Sequence, residues 1–235
     1  MTTTEHLSKQ FDVDLEKLRS HMLQMGGLIE SQILAAIEGF YTGNLKALEQ
    51  VIENDRRVNA FEVSIDTECS HIIARRQPAA SDLRMIMGVS KAVTDLERVG
   101  DEAKKIAVVS KQIHESGRLQ VPRLVDVRRT GSIVVGMLRK ALDAFARLDS
   151  VAAAEVIRDD AAIDEAFRGM MRQLITFMME DPRTITTALE FVWVARALER
   201  MGDHSKNMAE QVIYIVKGTD VRHTNFEDVE RKASR

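Results

Sequence analysis

Apolar residues recur along much of this chain at alternating intervals of three and four positions. The stretch 83–107 shows this spacing at Leu83, Ile86, Val89, Val93, Leu96, Ala103, Ile106 and Ala107. The stretch 188–215 shows it at Ala188, Phe191, Val192, Ala195, Leu198, Met208, Val212 and Ile215. Such spacing places the apolar side chains on one face of an α-helix, whereas a half-buried β-strand would alternate strictly. The pattern therefore predicts long amphipathic helices.

Five breaks divide the chain into six helical segments. Proline interrupts a helix, and clusters of small polar residues mark softer breaks. The breaks are Pro78, Pro122, Pro182 and the stretches 42–44 and 148–150. They predict helices over 8–41, 44–76, 81–116, 122–147, 150–180 and 183–217, with Asp82 near an N-cap and Gly117 and Gly218 at helix ends. Long helices joined by short turns lie antiparallel, so we predict an all-α bundle of six long antiparallel helices.

One sequence motif occurs twice. Residues 96–107 read LERVGDEAKKIA, and residues 198–209 read LERMGDHSKNMA. One helix earlier, matching positions recur in the same order, with Asp55, Val58 and Asn59 corresponding to Asp160, Ile163 and Asp164. We therefore predict two tandem three-helix units over 1–117 and 118–218, related by an internal repeat. The tail 219–235 is polar, lacks a clear apolar stripe and is expected to be partly disordered.

The composition narrows the class of protein. Glycine, proline and aromatic residues are scarce, with 12 Gly, 3 Pro and 5% aromatic residues, which favours helices. The net charge of −3 gives no general reason to bind nucleic acid or an anionic membrane. The single cysteine, Cys69, excludes an internal disulfide and fits a reducing compartment. No apolar run approaches the ~18 residues of a membrane span, and the polar first residues show no signal pattern, so we expect a cytoplasmic protein.

The repeated motif combines two unfavourable features. A glycine inside a helix costs roughly 1 kcal/mol relative to alanine. Two carboxylates four positions apart on one helical face repel by roughly a few tenths of a kcal/mol. Glu97 with Asp101, and Glu199 with Asp203, have this spacing, and a glycine precedes each Asp. Because both halves of the chain carry the combination, it indicates a site, and the glycine leaves room for a neighbouring helix to approach.

The second and fifth predicted helices offer further oxygen donors, again four positions apart: Asp55 with Asn59, and Asp160 with Asp164. Each repeat is therefore expected to bring two pairs of oxygen ligands together. Oxygen ligands favour hard or borderline ions such as Mg²⁺, Ca²⁺, Mn²⁺ or iron. Because Asn59 replaces one carboxylate of the first site, we expect the second site to bind a cation more tightly.

A simpler alternative is that these charged residues form a solvated helix face. Asp101 would then pair with Lys104 or Lys105, and Asp203 with Lys206, as surface contacts of little energetic weight. The duplication, the interior glycine and the donors on the neighbouring helix favour an ion site over this alternative.

Other candidate motifs are weaker. Glu68-x-x-His71 has the spacing of di-iron carboxylate proteins, but Gln173 occupies the equivalent place in the second half. His204 has no counterpart in the first repeat and is expected to make a peripheral contact, and Cys69 is expected to be a small buried residue. The sequence shows no Gly-rich phosphate loop, Ser-His-Asp order or kinase signature, which disfavours an enzyme.

Taken together, these segments resemble the PhoU family of accessory regulators of bacterial high-affinity phosphate transport. The resemblance covers nearly the whole chain and rests on RRQPAASDLR (75–84), LERVGDEAKKIA (96–107), DAFARLD (143–149), QLITFMMED (173–181), LERMGDHSKNMAE (198–210) and YIVKG (214–218). It implies two tandem three-helix bundles and a homodimer. It also implies multinuclear metal clusters, whose ligands would be Glu97, Asp101, Glu199 and Asp203 together with Asp55, Asn59, Asp160 and Asp164.

The function that the resemblance implies is signalling without catalysis. Members of the family repress the phosphate-starvation response when phosphate is plentiful. They are thought to link the ATPase of the phosphate ABC transporter to the cytoplasmic region of a sensor histidine kinase. Two other classes stay open: a carboxylate-bridged metal enzyme, acting as a phosphohydrolase or a redox protein, and a metal-free structural helical bundle.

Overall fold

The computed structural model describes residues 9–116 and 126–234, with side chains from Phe11 onward. The helices are α1 (Lys9–Thr42), α2 (Leu45–Arg76), α3 (Ala80–Glu115), α4 (Val127–Arg147), α5 (Ser150–Glu180), α6 (Ile185–Lys217) and α7 (Phe226–Ser234). A 3₁₀ turn, Pro182–Thr184, precedes α6. These two ranges contain no β-strand. The predicted all-α fold is confirmed, and the described ends of α1 to α6 lie within one or two residues of the predicted ends, except that α4 begins at Val127, five residues after the predicted start at 122.

Local sequence explains where several helices begin. Asn44, Asp126 and Asp149 precede α2, α4 and α5, and each side chain accepts a hydrogen bond from a backbone N–H of the first turn. These bonds satisfy N–H groups that have no partner inside the helix. α3 starts differently, because its N-cap residue Ala79 has no side-chain acceptor, and Asp82 lies within its first turn.

The local sequence also explains where helices end. Gly218 ends α6 with a φ of 69°, in the left-handed region that glycine adopts without steric cost, so this predicted end is confirmed. Pro78 separates α2 from α3, as expected. The predicted end at Gly117, the predicted break at Pro122 and the first residues of the predicted 122–147 helix lie outside the described residues.

The two halves of the chain pack against each other mainly through α3 and α6. Within the halves, α3 contacts α1 and α2, and α6 contacts α4 and α5. α3 and α6 run antiparallel: Gly88 near the start of α3 lies against Ile215 near the end of α6, whereas Glu102, further along α3, contacts Arg200. Both copies of the repeated motif therefore lie side by side near the middle of the molecule.

The tail departs from the expected partial disorder. Residues 226–234 form α7, which packs against α5 and α6. Val229 and Ala233, one helical turn apart, are buried, and the carbonyl of Ala233 accepts a hydrogen bond of 2.8 Å from the buried hydroxyl of Ser150. An apolar stripe of two residues is too short to register as helical periodicity, which explains why the sequence pattern missed α7.

Candidate cation sites

A lysine of each repeated motif reaches across to the preceding helix. Lys104 Nζ on α3 lies 2.7 Å from Asp55 Oδ2 on α2, and Lys206 Nζ on α6 lies 2.8 Å from Asp160 Oδ2 on α5. Both aspartates are buried, and a buried carboxylate needs such a partner. The solvated-face alternative expected each lysine to pair with a carboxylate of its own helix. Each lysine instead connects its helix to the preceding one.

Lys105, the third lysine named in that alternative, also pairs with a residue other than Asp101. Lys105 Nζ lies 2.7 Å from Glu102 Oε1, and Arg200 of the other repeat lies 3.2 Å from the same oxygen. The expected surface pairs of Asp101 with Lys104 or Lys105, and of Asp203 with Lys206, are therefore wrong. Asp101 and Asp203 form no ion pair with these lysines, although the charges of Lys104 and Lys206 still act on them at longer range.

The glycines of the motif let the paired helices approach each other. A Cβ atom on Gly100 would lie 3.1 Å from Val58 Cγ1, and a Cβ atom on Gly202 would lie 2.8 Å from Ile163 Cδ1. Val58 and Ile163 occupy equivalent positions of the repeat, so the two close approaches are equivalent too. The expectation that each glycine makes room for a neighbouring helix is confirmed.

The first acidic cluster lies between α2 and α3. Asp55 forms its buried base, and Asn59 lies at its exposed edge, with Asn59 Nδ2 3.5 Å from Asp55 Oδ2. Burial raises the pKa of Glu97, and the charges of Asp101, Glu62 and Asp55 raise it further. The four predicted residues of the first repeat therefore share one surface, on which the carboxylates repel one another.

The second acidic cluster lies between α5 and α6. Burial raises the pKa of Glu199, and the charge of Asp203 adds to this effect. Asp203 reaches solvent but is flanked by protein, and this partial burial raises its pKa, with Asp160 and Asp164 raising it further. The four predicted residues of the second repeat thus form an equivalent electrostatic group.

Arginines neutralise part of the second cluster. Arg196 Nη1 lies 2.9 Å from Glu199 Oε1, and Arg168 Nη2 lies 3.4 Å from Asp164 Oδ2. No described residue forms an ion pair with Glu97 or Asp101 in the first cluster. The two clusters are therefore similar in position and differ in which of their carboxylates form ion pairs.

The oxygen donors of both clusters are of the chemical type that hard cations prefer. Asp55 Oδ1 and Glu199 Oε2 are buried without a hydrogen-bond partner, which is costly unless something else satisfies these oxygens. Within residues 9–116 and 126–234, no three His, Cys, Asp or Glu side chains converge closely enough to hold a metal ion in the conformations described. The metal-binding role of Asp55, Asn59, Glu97, Asp101, Asp160, Asp164, Glu199 and Asp203 stays a prediction.

Sequence reasoning missed two acidic residues beside the first cluster, Glu62 and Asp66. Burial raises the pKa of Glu62, and the charges of Asp66 and Asp101 raise it further. Asp66 Oδ1 accepts a hydrogen bond of 2.7 Å from Ser90 Oγ on α3. Glu62 follows Asp55 by seven positions, so both lie on one face of α2, and this spacing could have identified it. The repeat concealed it, because the equivalent residue of the second half is Phe167.

The remaining candidates have structural contacts. His204 was expected to be peripheral, but it is buried between the two halves, with Nδ1 2.9 Å from Asp95 Oδ1. Glu68 contacts Lys17 at 3.0 Å and His21 at 3.1 Å, both on α1. Cys69 is buried as expected, and burial raises its pKa to about 12. Such a thiol is protonated at neutral pH and is a poor nucleophile.

No helix in the described part of the chain is both long and apolar enough to span a bilayer.

The sequence model of the family described as PhoU domain matches residues 22–109 and 127–212. A phosphate-specific transport system accessory protein PhoU homolog of Burkholderia sp is 47% identical over 232 residues, covering 97% of this chain and 98% of that protein. The homolog of Pseudomonas aeruginosa is 50% identical over 221 residues, covering 94% and 90%. The fold is similar to the crystal structure of PhoU from Pseudomonas aeruginosa, with a TM-score of 0.85 and 48% identity over 89% of this chain and 100% of that one.

Proposed function

Since this chain belongs to the PhoU family, we propose that it is a cytoplasmic, non-enzymatic adaptor that regulates phosphate uptake and represses the phosphate-starvation response when phosphate is plentiful. In this role it links the ATPase of the phosphate ABC transporter to the cytoplasmic region of a sensor histidine kinase. The supporting observation is the similarity to phosphate transport accessory proteins over almost the full length of the chain.

The chemistry of the two clusters supports a binding role over a catalytic one. The carboxylates of the eight predicted residues pair with lysine or arginine, or repel one another. The one serine bonded to a neighbouring carboxylate, Ser90 with Asp66, has no partner among the described histidines and lysines that would make it a nucleophile. The one cysteine has a raised pKa and is buried. The acidic clusters are thus better suited to present charge than to form a covalent intermediate.

An adaptor also needs an accessible protein-binding surface. Exposed apolar side chains gather where α5 ends and α6 begins, on either side of the turn that joins them: Ile175, Met179, Ile185, Leu189 and Trp193. Trp193 is 66% exposed and Met179 is 79% exposed. Large exposed apolar residues, and tryptophan in particular, are enriched in the energetic centres of protein interfaces. We therefore propose this end of the α5–α6 hairpin as a protein-binding surface of the adaptor.

The test is capture of partners from phosphate-replete cells by tagged protein, combined with a phosphate-responsive reporter in a deletion strain. Wild type should recover the ATPase and the kinase, and deletion should release the reporter from repression. Failure to recover either partner, together with normal repression in the deletion strain, would reject the adaptor role. The double variant Trp193→Ser with Met179→Ser should lose at least one of the two partners, whereas Val63→Ser, at a position 66% exposed on α2, should retain both. Recovery of both partners by the double variant would reject only the proposed surface.

Two further measurements test the enzyme alternative and the homodimer that the resemblance implies. Metal-dependent turnover of a phosphoester by purified protein, abolished in Glu199→Gln, would replace the adaptor with an enzyme. Light scattering of the purified protein tests the proposed homodimer, for which we expect twice the mass of the chain. A monomeric mass at micromolar concentration would remove the dimer from the proposal and leave the adaptor role in place.

A further inference from the structure

We propose that α7 is an intramolecular strap over a helix-binding groove of the second repeat, and that this groove accepts an amphipathic helix of a partner protein when α7 detaches. The groove, named the α7 groove, is the surface of α5 and α6 around Ser150, Ala154 and Ile213. The inference adds a regulated docking site to the proposed adaptor. Because the experiment below uses the tail of this chain as its probe, its result does not depend on the adaptor role.

α7 runs antiparallel to α5 and ends at the start of α5. Ser150 Oγ, in the first residue of α5, donates a hydrogen bond of 2.8 Å to the carbonyl of Ala233. Thr224, just before α7 begins, lines the same cleft as Lys206, and Lys206 contacts Asp160 further along α5. The buried face of α7 therefore lies along the first three turns of α5.

This orientation places the apolar residues of α7 on small residues of α5. Val229 precedes Ala233 by one turn, and Ala154 follows Ser150 by one turn, so Val229 lies next to Ala154. Both are buried, with Val229 2% and Ala154 4% exposed. Phe226, one turn earlier in α7, is partly buried. The α7 groove thus fits a helix with apolar residues at positions i, i+3 and i+7.

The first repeat shows the same surface without a covering helix. There, Glu49 on α2 and Lys111 on α3 form an ion pair of 2.7 Å, and the Glu49 side chain is 51% exposed. The equivalent residues of the second repeat are Ala154 and Ile213, and both are buried. The second repeat therefore has apolar side chains where the first has a solvated ion pair. Apolar side chains are stabilised by a cover, and α7, which packs against α5 and α6, provides it.

α7 is held in place by few contacts. It has nine residues, fewer than the about 12–15 that an isolated helix needs to be stable in water, so its helical form depends on the α7 groove. Among the residues that the structure describes, its ion pair joins Arg231 to Asp228 within the helix, and none joins α7 to another helix. Since only Val229 and Ala233 of this terminal helix are buried, it should open at a lower free energy than α3 or α6.

The connector between α6 and α7 also favours opening. It contains two residues with left-handed backbone conformation, Gly218 with a φ of 69° and His223 with a φ of 61°. Glycine adopts this conformation freely, whereas it is strained for histidine. Detachment of α7 frees His223 to return to an extended conformation. The closed strap therefore stores strain that is released when α7 leaves the groove.

Hydrogen exchange of the full chain tests whether α7 opens by itself. The backbone amides of residues 230–234 should exchange at least about a hundredfold faster than the buried amides of α3 and α6. They should also exchange at least about tenfold more slowly than those of an unstructured peptide, because α7 is docked most of the time. Exchange of α7 at the rate of α6 would show that it opens only with the whole fold, and exchange at the unstructured rate would show that it is not docked. Either result would overturn the strap.

A fluorescein-labelled peptide with the sequence of residues 219–235 tests whether the α7 groove accepts a helix from outside. Fluorescence anisotropy should show weak binding to the wild-type full chain, because its own α7 occupies the groove. Val229→Asp in the full chain releases this competitor and should tighten peptide binding at least about tenfold. Val63→Asp, the same substitution at an exposed position of α2, is the matched control and should bind the peptide as wild type does. Equal affinity of wild type and Val229→Asp would overturn the proposal.

A further variant locates the bound peptide. Ala154→Glu with Ile213→Lys, introduced into the Val229→Asp chain, gives the second repeat the ion pair of the first and should abolish peptide binding. Circular dichroism checks the fold of each variant, and the hydrogen-exchange result needs no substitution. Retained binding would place the peptide elsewhere and overturn the proposal. Light scattering tests the other occupant: a mass of two chains for wild type that falls to one chain in Val229→Asp would assign the groove to the tail of a second copy, against the strap.

Discussion

His204 Nδ1 on α6 lies 2.9 Å from Asp95 Oδ1 on α3, so a buried polar contact connects the two repeats. Asn207 Nδ2 donates a second hydrogen bond to the same oxygen at 3.1 Å. Nearby, Arg200 connects to Glu102 across the same helix pair. Glu102, His204 and Asn207, which each differ from their counterpart in the other repeat, thus make polar contacts between the halves.

His204→Ala should lower the free energy of unfolding by about 1–3 kcal/mol, because it removes one of the two partners of Asp95 in a buried setting. Urea denaturation followed by circular dichroism measures this. His71→Ala is the control, since His71 is exposed on α2, and it should change stability by less than about 0.5 kcal/mol. Equal effects of the two substitutions would show that the contact between His204 and Asp95 does not stabilise the interface.

Gly202→Ala should destabilise the protein by about 0.5–2 kcal/mol. The new Cβ would lie 2.8 Å from Ile163 Cδ1, and the cost of this overlap, about 1–3 kcal/mol, exceeds the gain in helix propensity of up to about 1 kcal/mol. Gly27→Ala is the matched control within α1, because no atom lies within 4 Å of its added Cβ. It should stabilise by about 0.5–1 kcal/mol. If both substitutions stabilise in thermal denaturation, the close approach of α5 and α6 is wrong.

The sequence was sufficient for the features that both repeats share. Pro78, Pro182 and Gly218 mark helix ends by local chemistry, and Gly100 and Gly202 indicated the close approach of α2 to α3 and of α5 to α6. These features depend on backbone conformation or on the absence of a side chain, and both can be read directly from the amino-acid sequence.

The sequence was not sufficient for the partners of long side chains. Lys104 can reach either Asp101 on its own helix or Asp55 on the next, and only the packing of α2 against α3 decides between them. Glu62 was overlooked because a comparison of repeats highlights what the halves have in common, and Phe167 stands in its place. Charge balance within each cluster therefore required the folded structure.

Glu97→Gln should increase the free energy of unfolding of the cation-free protein at pH 7, by roughly 0.3–1 kcal/mol. The pKa of Glu97 is raised in the folded state, so its ionised form destabilises the fold, and the wild type regains stability as the pH falls through this raised value. The advantage of the variant should therefore shrink toward pH ~4.5, near the pKa of an unfolded glutamate. Urea denaturation across this pH range, with chelator present, measures the difference.

Glu49→Gln provides the opposite case for the same experiment. Lys111 Nζ lies 2.7 Å from Glu49 Oε1 and lowers the pKa of that carboxyl, so this variant should lose stability at pH 7. The loss should fade as the pH falls through the lowered pKa. If Glu97→Gln loses stability at pH 7 as Glu49→Gln does, the repulsion assigned to the first cluster is absent.

Val229→Ala tests whether the tail is part of the fold. Val229 is 2% exposed on α7. Its truncation to alanine removes buried apolar surface and should lower the free energy of unfolding by about 1–2 kcal/mol. Val63 on α2 is 66% exposed, so Val63→Ala removes the same two methyl groups without exposing a core. Urea denaturation should therefore separate the two variants. Indistinguishable midpoints would mean that residues 226–234 do not pack on α5 in solution, and the partial disorder expected from the polar sequence would then be the correct description of the tail.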